Sequence, residues 1–334
     1  MSGQHSSEVC STSDAWELAY SHYIYPSVCA ATIFVVPHLR GTWQTIATLA
    51  RKSSLPEDAI AALIPALLLI GGTEVQNGLL RRRVDALPDN VLLTCVERHA
   101  RLDPHVRREL NAFRRVTVGA SQNFWLRTIR STERRILVLR SIDALTSVTT
   151  PALIRELDRH RARHLCDVGA GYGTVTRQAL AELPLLTVTA IDRSEVLEDW
   201  WRVHPQTPRE NTPALKRMAV DLLSNRWPTG ADVYLLSHLL QDFGAHSRRR
   251  LLARAKACIH GTQELWLHGI FPSSSSVSAL AAAFSFYLYA RLGGGLPSVE
   301  QSVREAEEAG FHHVRSIATS RYHTLLVFRK RSSE

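Results

Sequence analysis

The chain has 334 residues, 45% of them hydrophobic and 21% charged, a length that exceeds one small domain and fits a ligand-binding domain with a smaller helical companion. No apolar run reaches the ~20 residues of a membrane span, and the opening "MSGQHSSEVCSTSDAWE" lacks the basic start and apolar centre of a signal peptide, so a cytoplasmic protein with no membrane contact is expected. The net charge of +9 is carried almost wholly by arginines dispersed along the chain, with lysine only at 52, 216, 256 and 330; the runs at 81–83 and 248–250 therefore read as solvated faces, and no nucleic-acid partner is expected.

Residues 1–12 read as a disordered N-terminus, and 13–110 as a helical domain. Apolar residues recur there at helical spacing: Trp16, Ala19, Tyr20 and Tyr23, then Ile33, Val36 and Leu39, then Ile60, Leu63, Ile64 and Leu67. A Ser-Ser turn separates two short helices, Pro65 interrupts the apolar run 61–72, and Asn77-Gly78 signals a hairpin turn. Helix, turn, helix and wing make a winged-helix-like pattern, which serves either as a DNA reader or as a dimerisation platform. The composition around 61–70 is too apolar for a helix lying in a DNA groove. Connecting helices are expected over 111–160.

From 161 to 334 short apolar runs alternate with helical segments, the pattern of an α/β, Rossmann-like, mostly parallel sheet. The runs are 163–170, 186–192, 231–238, 264–271 and 322–330. Among the five cysteines (10, 29, 95, 166, 258) no CxxC pair occurs, so they read as small buried hydrophobes, and no metal centre is expected.

The chemistry begins at "CDVGAGYGTV" (166–175), where Gly169, Gly171 and Gly173 follow a strand and open a helix. Such a turn lets backbone approach a ligand at a helix N-terminus. Asp192 ends the next strand, where a carboxylate can accept both hydroxyls of a ribose. Asp167, just before the glycines, would repel a pyrophosphate and suit an amino acid ammonium, which points to S-adenosylmethionine rather than to a dinucleotide.

On these motifs the chain resembles the class I S-adenosylmethionine-dependent methyltransferases, and among them the small-molecule O-methyltransferases of the caffeate, acetylserotonin and bacterial natural-product kind. The resemblance extends to "HLRGTWQTIATLARKSSLPEDAIAALIPALLLIGG", "VDLLSNRWPTGADVYLLSHLLQDF" and "EEAGFHHV". It implies a homodimer, or a heterodimer with a homologue, held by the N-terminal domain. It also implies that Gly169 and Gly171 line the methionine part of the cofactor, that Asp192 holds the ribose, and that Asp221 and Leu222 flank the adenine.

The same resemblance marks departures. The family continues with Leu-His-Asp-Trp, its histidine deprotonating the substrate hydroxyl; this chain has Leu240, Gln241, Asp242 and Phe243. Where related plant enzymes carry a glutamate that steers this histidine, "LHGIFP" has His268, and the third acidic position falls on Leu296 and Pro297.

Strand alternation in "ELWLHGIF" puts Glu264, Trp266 and His268 on one side, with His268 at the carboxyl end that faces a ligand crevice, so His268 is a candidate base. Gln241 would orient the acceptor. A two-histidine, one-carboxylate metal site from His238, Asp242 and His268 is outweighed by a solvated aspartate and an unrelated histidine. His238, Phe284 and Tyr287 are expected at the substrate pocket, the last two sharing a helix face. Two functions follow: methyl transfer to a natural-product-like molecule, as in antibiotic and other secondary metabolism, without the usual histidine; or a redirected scaffold that cyclises, rearranges or eliminates, or that acts as a silent partner subunit.

Overall fold

The computed structural model describes residues 19–331 apart from 84–85, 87–92, 94–95, 97–99, 101, 117–119, 207–210 and 273–277. Trp16, Cys10, Cys95 and the stretch expected to be disordered lie outside the described residues. Past a single 3-10 turn the N-terminal region builds α1 (Ile24–Phe34), β1 (Gln44–Thr45), α2 (Ile46–Ser53), α3 (Glu57–Leu69), β2 (Thr73–Gln76) and β3 (Leu79–Arg82). Thr45 starts α2 by accepting from the Thr48 backbone N–H at 3.1 Å, and Ser54 stops it in the left-handed region at φ 56°. The hairpin forms where Asn77 and Gly78 signal it, both with positive φ, as a tight two-residue turn requires.

Pro65 does not break the helix. It lies inside α3, buried with Ile60, Leu63 and Leu67, so apolar packing offsets the backbone bond that proline removes.

Among the described residues α4 (Pro104–Arg114), α5 (Ala120–Arg130), α6 (Thr132–Ser147) and α7 (Thr150–His160) lead to the second region. There follow β4 (His164–Val168), α8 (Thr174–Glu182), β5 (Thr187–Asp192), α9 (Ser194–Glu198), α10 (Trp200–Val203), β6 (Leu215–Ala219), β7 (Val233–Ser237), α11 (Ala245–Cys258), β8 (Glu264–Ile270), α12 (Ala279–Leu292), α13 (Val299–Glu308), β9 (Phe311–Ala318) and β10 (His323–Lys330).

The sheet runs β6-β5-β4-β7-β8-β10-β9, parallel from β6 to β8 and antiparallel at β10 and β9. The order reverses between β4 and β7, which opens a crevice at their carboxyl ends. The two edge strands, β6 and β9, carry no continuous apolar run because each faces solvent along part of its length, as "LKRMA" and "FHHVRSIA" show.

Helix α12 joins the two regions. Ala282, Ala283, Phe286, Tyr289 and Ala290 pack into the core of α1, α3 and α4, whereas Leu280, Ala281, Phe284, Leu288 and Leu292 face the other way, over the crevice. Cys29, Cys166 and Cys258 are free and buried. Arg248 departs from the expected solvated run: it is buried, and its guanidinium makes a two-pronged pair with Glu305 at 2.8 and 2.7 Å, tying α11 to α13. Among the described residues no single helix is long and apolar enough to cross a membrane.

Candidate active site

A cavity of about 310 Å³ lies at the carboxyl ends of β4, β5 and β7, beneath α12 and beside α5 and α6. Its two ends are built differently. One is made of backbone turns: Gly169 and Gly171 after β4, Asp192 and Arg193 after β5, and Asp221 with Leu222 after β6. All three glycines of the loop have positive φ, between 55° and 73°. A side chain at Gly169 would come within 2.8 Å of Leu239, whereas at Gly171 it would meet nothing, leaving open space above the loop.

Asp192 Oδ2 accepts from Gly171 N–H at 2.9 Å and Oδ1 from Arg193 N–H at 2.7 Å, which locks its carboxyl at the cavity wall. Burial raises its pKa to about 6, against those two backbone bonds. Asp221 caps its own turn, Oδ1 accepting from Leu223 N–H at 3.0 Å.

Two of the residues expected at the cofactor do not reach the cavity. Asp167 is buried behind the loop, and its Oδ2 accepts from Thr176 Oγ1 at 2.6 Å; the carboxyl braces the first turn of α8 instead of facing an ammonium. Gly173 serves packing: a Cβ there would run into the Trp200 ring, whose indole N–H donates to the Gly171 carbonyl. Trp200 thus positions the loop. Nothing in the "DWW" that contains it signals this, because the contact joins elements 29 residues apart.

The other end is made of side chains. Phe124 and Trp125 of α5, Val138, Leu139, Ile142 and Leu145 of α6, and Phe284, Tyr287, Leu288 and Leu292 of α12 form apolar walls, closed by Tyr20 from the N-terminal region. The Phe284 and Tyr287 rings are 6.4 Å apart and within 11° of parallel, and Tyr20 lies 4.4 Å from Phe284. The shared face expected for 284 and 287 is therefore the one that lines the cavity, while Phe286 and Tyr289 belong to the N-terminal core.

Into this apolar space project the residues after β7. His238 leaves the strand in the left-handed region at φ 55°, a conformation that costs an ordinary residue about 1 kcal/mol. Its ring lines the cavity, within hydrogen-bonding reach of the Gln241 side chain. Gln241 and Asp242 sit on a 3-10 turn that the glycine run 293–295 grips: Gly295 N–H donates to the Gln241 carbonyl at 2.9 Å, and Gly294 packs where any Cβ would strike that backbone. Asp242 is half-buried. It lines the cavity beside Trp125, and burial pushes its pKa up to about 8 against the influence of that indole.

His268 does not line this cavity. It is buried one layer below, level with Ser237 in the neighbouring strand, with Nδ1 2.9 Å from Ser237 Oγ and Nε2 3.0 Å from Thr319 Oγ1. The His238 ring stands edge-on 5.1 Å away. Burial, then His238 and His323, hold its pKa well below the ordinary value. Alternation along β8 gives the correct side of the sheet but says nothing of the ring interposed between His268 and the crevice. Among the described residues no group of three His, Cys, Asp or Glu is arranged to hold a metal ion.

A model of the O-methyltransferase domain matches residues 99–312. The probable bifunctional dTTP/UTP pyrophosphatase/methyltransferase protein of Homo sapiens is 25% identical over 189 residues, 56% of this chain and 30% of that protein. Acetylserotonin O-methyltransferase of Rattus norvegicus is 24% identical over 213 residues, 64% of this chain and 49% of the relative. The chain thus spans less than half the length of either relative. The crystal structure of an O-methyltransferase family 2 protein from Planctomyces limnophilus DSM 3776, in complex with apigenin, has the same fold, with a TM-score of 0.75 at 19% identity over 96% of each chain. With most of the sheet and the whole glycine loop inside the matched segment, which exceeds half of the sequence, the chain belongs to the O-methyltransferase domain family.

Proposed function

We propose that the protein transfers the methyl group of S-adenosylmethionine to a hydroxyl on a small, flat, natural-product-like molecule, with Asp242 taking the acceptor's proton in place of a histidine at 241. The observation that carries this reading is the continuity of the cavity, from the glycine loop and Asp192 at one end to an aromatic slot with the half-buried Asp242 carboxyl at the other. When bound, S-adenosylmethionine supplies a methyl group on a sulfonium, electrophilic without further activation. Asp192 is set to accept from ribose hydroxyls, Leu222 to lie against adenine, and the open space over Gly171 leaves room for the ligand.

The near-parallel rings of Phe284 and Tyr287 fix the plane of the acceptor, and Trp125 lies beside the Asp242 carboxyl. Ionised, Asp242 accepts the hydroxyl proton as the oxygen attacks, while Gly295 N–H, donating to the Gln241 carbonyl, holds the turn that carries it. Among the described residues no lysine or arginine lines the acceptor end, which favours an acceptor without a carboxylate. His268, with both ring nitrogens engaged and no place in the wall, gives up the role of base. The same reading has the protein work in the cytoplasm as a dimer, with itself or a homologue, paired through the winged-helix-like region 13–110; light scattering checks that state.

The test is calorimetric titration with S-adenosylhomocysteine, followed by incubation with methyl-labelled S-adenosylmethionine and a panel of hydroxylated aromatics. Micromolar binding and a labelled product support the reading. Absence of binding would turn it to the redirected scaffold or the silent partner subunit.

A further inference from the structure

A buried hydrogen-bond chain leads away from the cavity. Ser237, at the end of β7, lines the cavity wall. Its Oγ is 2.9 Å from His268 Nδ1; His268 Nε2 is 3.0 Å from Thr319 Oγ1. Thr319 follows β9 and is only half-buried, whereas His268 is 2% exposed. The chain therefore runs from the reaction space, through a residue sealed from solvent, to the outside of the sheet.

Two features distinguish this from a histidine merely satisfied in a core. Both partners are hydroxyls, which can donate or accept, whereas a carbonyl or a backbone N–H would fix the direction. The groups around the ring also keep it neutral: burial, with His238 edge-on at 5.1 Å and His323 stacked at 5.8 Å, holds the imidazole far below its ordinary pKa. A neutral imidazole donates at one nitrogen and accepts at the other and so continues the chain; an imidazolium would donate at both and interrupt it.

We propose that Ser237, His268 and Thr319 form a proton relay that carries the proton released in the cavity to solvent. The proposal rests on the methyl-transfer reading for the origin of that proton. The proton that Asp242 has taken, and must lose before the next turnover, reaches Ser237 Oγ through water in the cavity; Ser237 passes its own proton to Nδ1, and Nε2 gives its proton to Thr319, whose hydroxyl proton leaves to water. One proton enters, one leaves, and the ring ends in its other tautomer. The chain resets when the same shifts run in reverse, with water at its two ends. His268 thus serves the reaction without touching the acceptor, as a positioning residue between two hydroxyls.

Thr319→Val tests this at a half-exposed site, with Thr319→Ser as the conservative variant. The valine protein is expected to bind S-adenosylhomocysteine as before, to turn over about ten-fold more slowly with an increased solvent deuterium isotope effect on kcat, and the serine protein to recover. Independently of activity, the His268 ring N–H, followed by NMR with 15N-histidine, is expected to exchange with water more slowly in the valine protein. Unchanged exchange together with unchanged turnover overturns the relay. Slower exchange in a protein that methylates no acceptor keeps the relay and removes the proposed source of its proton.

Discussion

The two ends of the cavity are made of different material. The cofactor end is backbone, with three glycines of positive φ, two N–H groups fixing Asp192, and an Asp221 that caps its own turn. The acceptor end is side chain, collected from α5, α6, α12, the turn after β7 and Tyr20. A site built on backbone tolerates change in most of its neighbours and keeps one ligand; a site built on side chains can be recut one residue at a time.

Substitutions that separate the two ends sharpen this contrast, and any that moves both breaks it. The largest effect is expected for Asp242→Asn, a fall in kcat of about a hundred-fold or more with S-adenosylhomocysteine affinity retained. In the parent protein kcat should rise with pH up to about 8, as the carboxyl ionises, and the rise should vanish in the variant. The same carboxyl acts on stability. Its folded pKa lies above the unfolded value of about 4, so the folded chain binds the extra proton and stability declines as pH increases between the two values. Melting at pH 5 and pH 8, with and without the substitution, reads this difference.

Next comes Asp192→Ala, which should weaken S-adenosylhomocysteine by about a hundred-fold through the loss of charge-assisted hydrogen bonds. An affinity within two-fold of the parent, by calorimetry, would sink the ribose assignment. Gly294→Ala should destabilise the fold by about 2 kcal/mol, because a Cβ there strikes the backbone of Gln241 and Asp242. Urea unfolding measures the loss, and the acceptor KM should rise while cofactor affinity holds. The smallest effect is expected for Phe284→Ala: removal of one of two parallel rings should raise the acceptor KM several-fold, in line with about 1 kcal/mol for an aromatic pair.

The same division decides what the sequence reveals. The glycine spacing, Asp192 and Asp221 are local features, each defined by a strand end and the residues after it, and the structure sets Gly169, Gly171, Asp192, Asp221 and Leu222 together in one wall. Asp167 and Gly173, equally local in sequence, turn to Thr176 and Trp200, because the motif leaves open what packs behind the loop. At the acceptor end, periodicity gives the shared face of Phe284 and Tyr287. It cannot give Trp125 beside Asp242, or the His238 ring between His268 and the cavity, since both depend on contacts between distant segments and, for His238, on a left-handed residue that is not glycine. Pro65 inside α3 and Arg248 paired with Glu305 have the same origin: packing overrides a local preference.

Tyr20 stands apart from the other wall residues. It belongs to the N-terminal region, outside the segment that carries the family's signature, yet it closes the cavity against Phe284 and Tyr287. On the proposed reading the choice of acceptor is thereby shared between two stretches of chain that meet along α12, one supplying Tyr20 and the other the glycine loop. Exchange of the first hundred residues between homologues would then have to carry the inward face of α12 with it, since Phe286 and Tyr289 belong to that core.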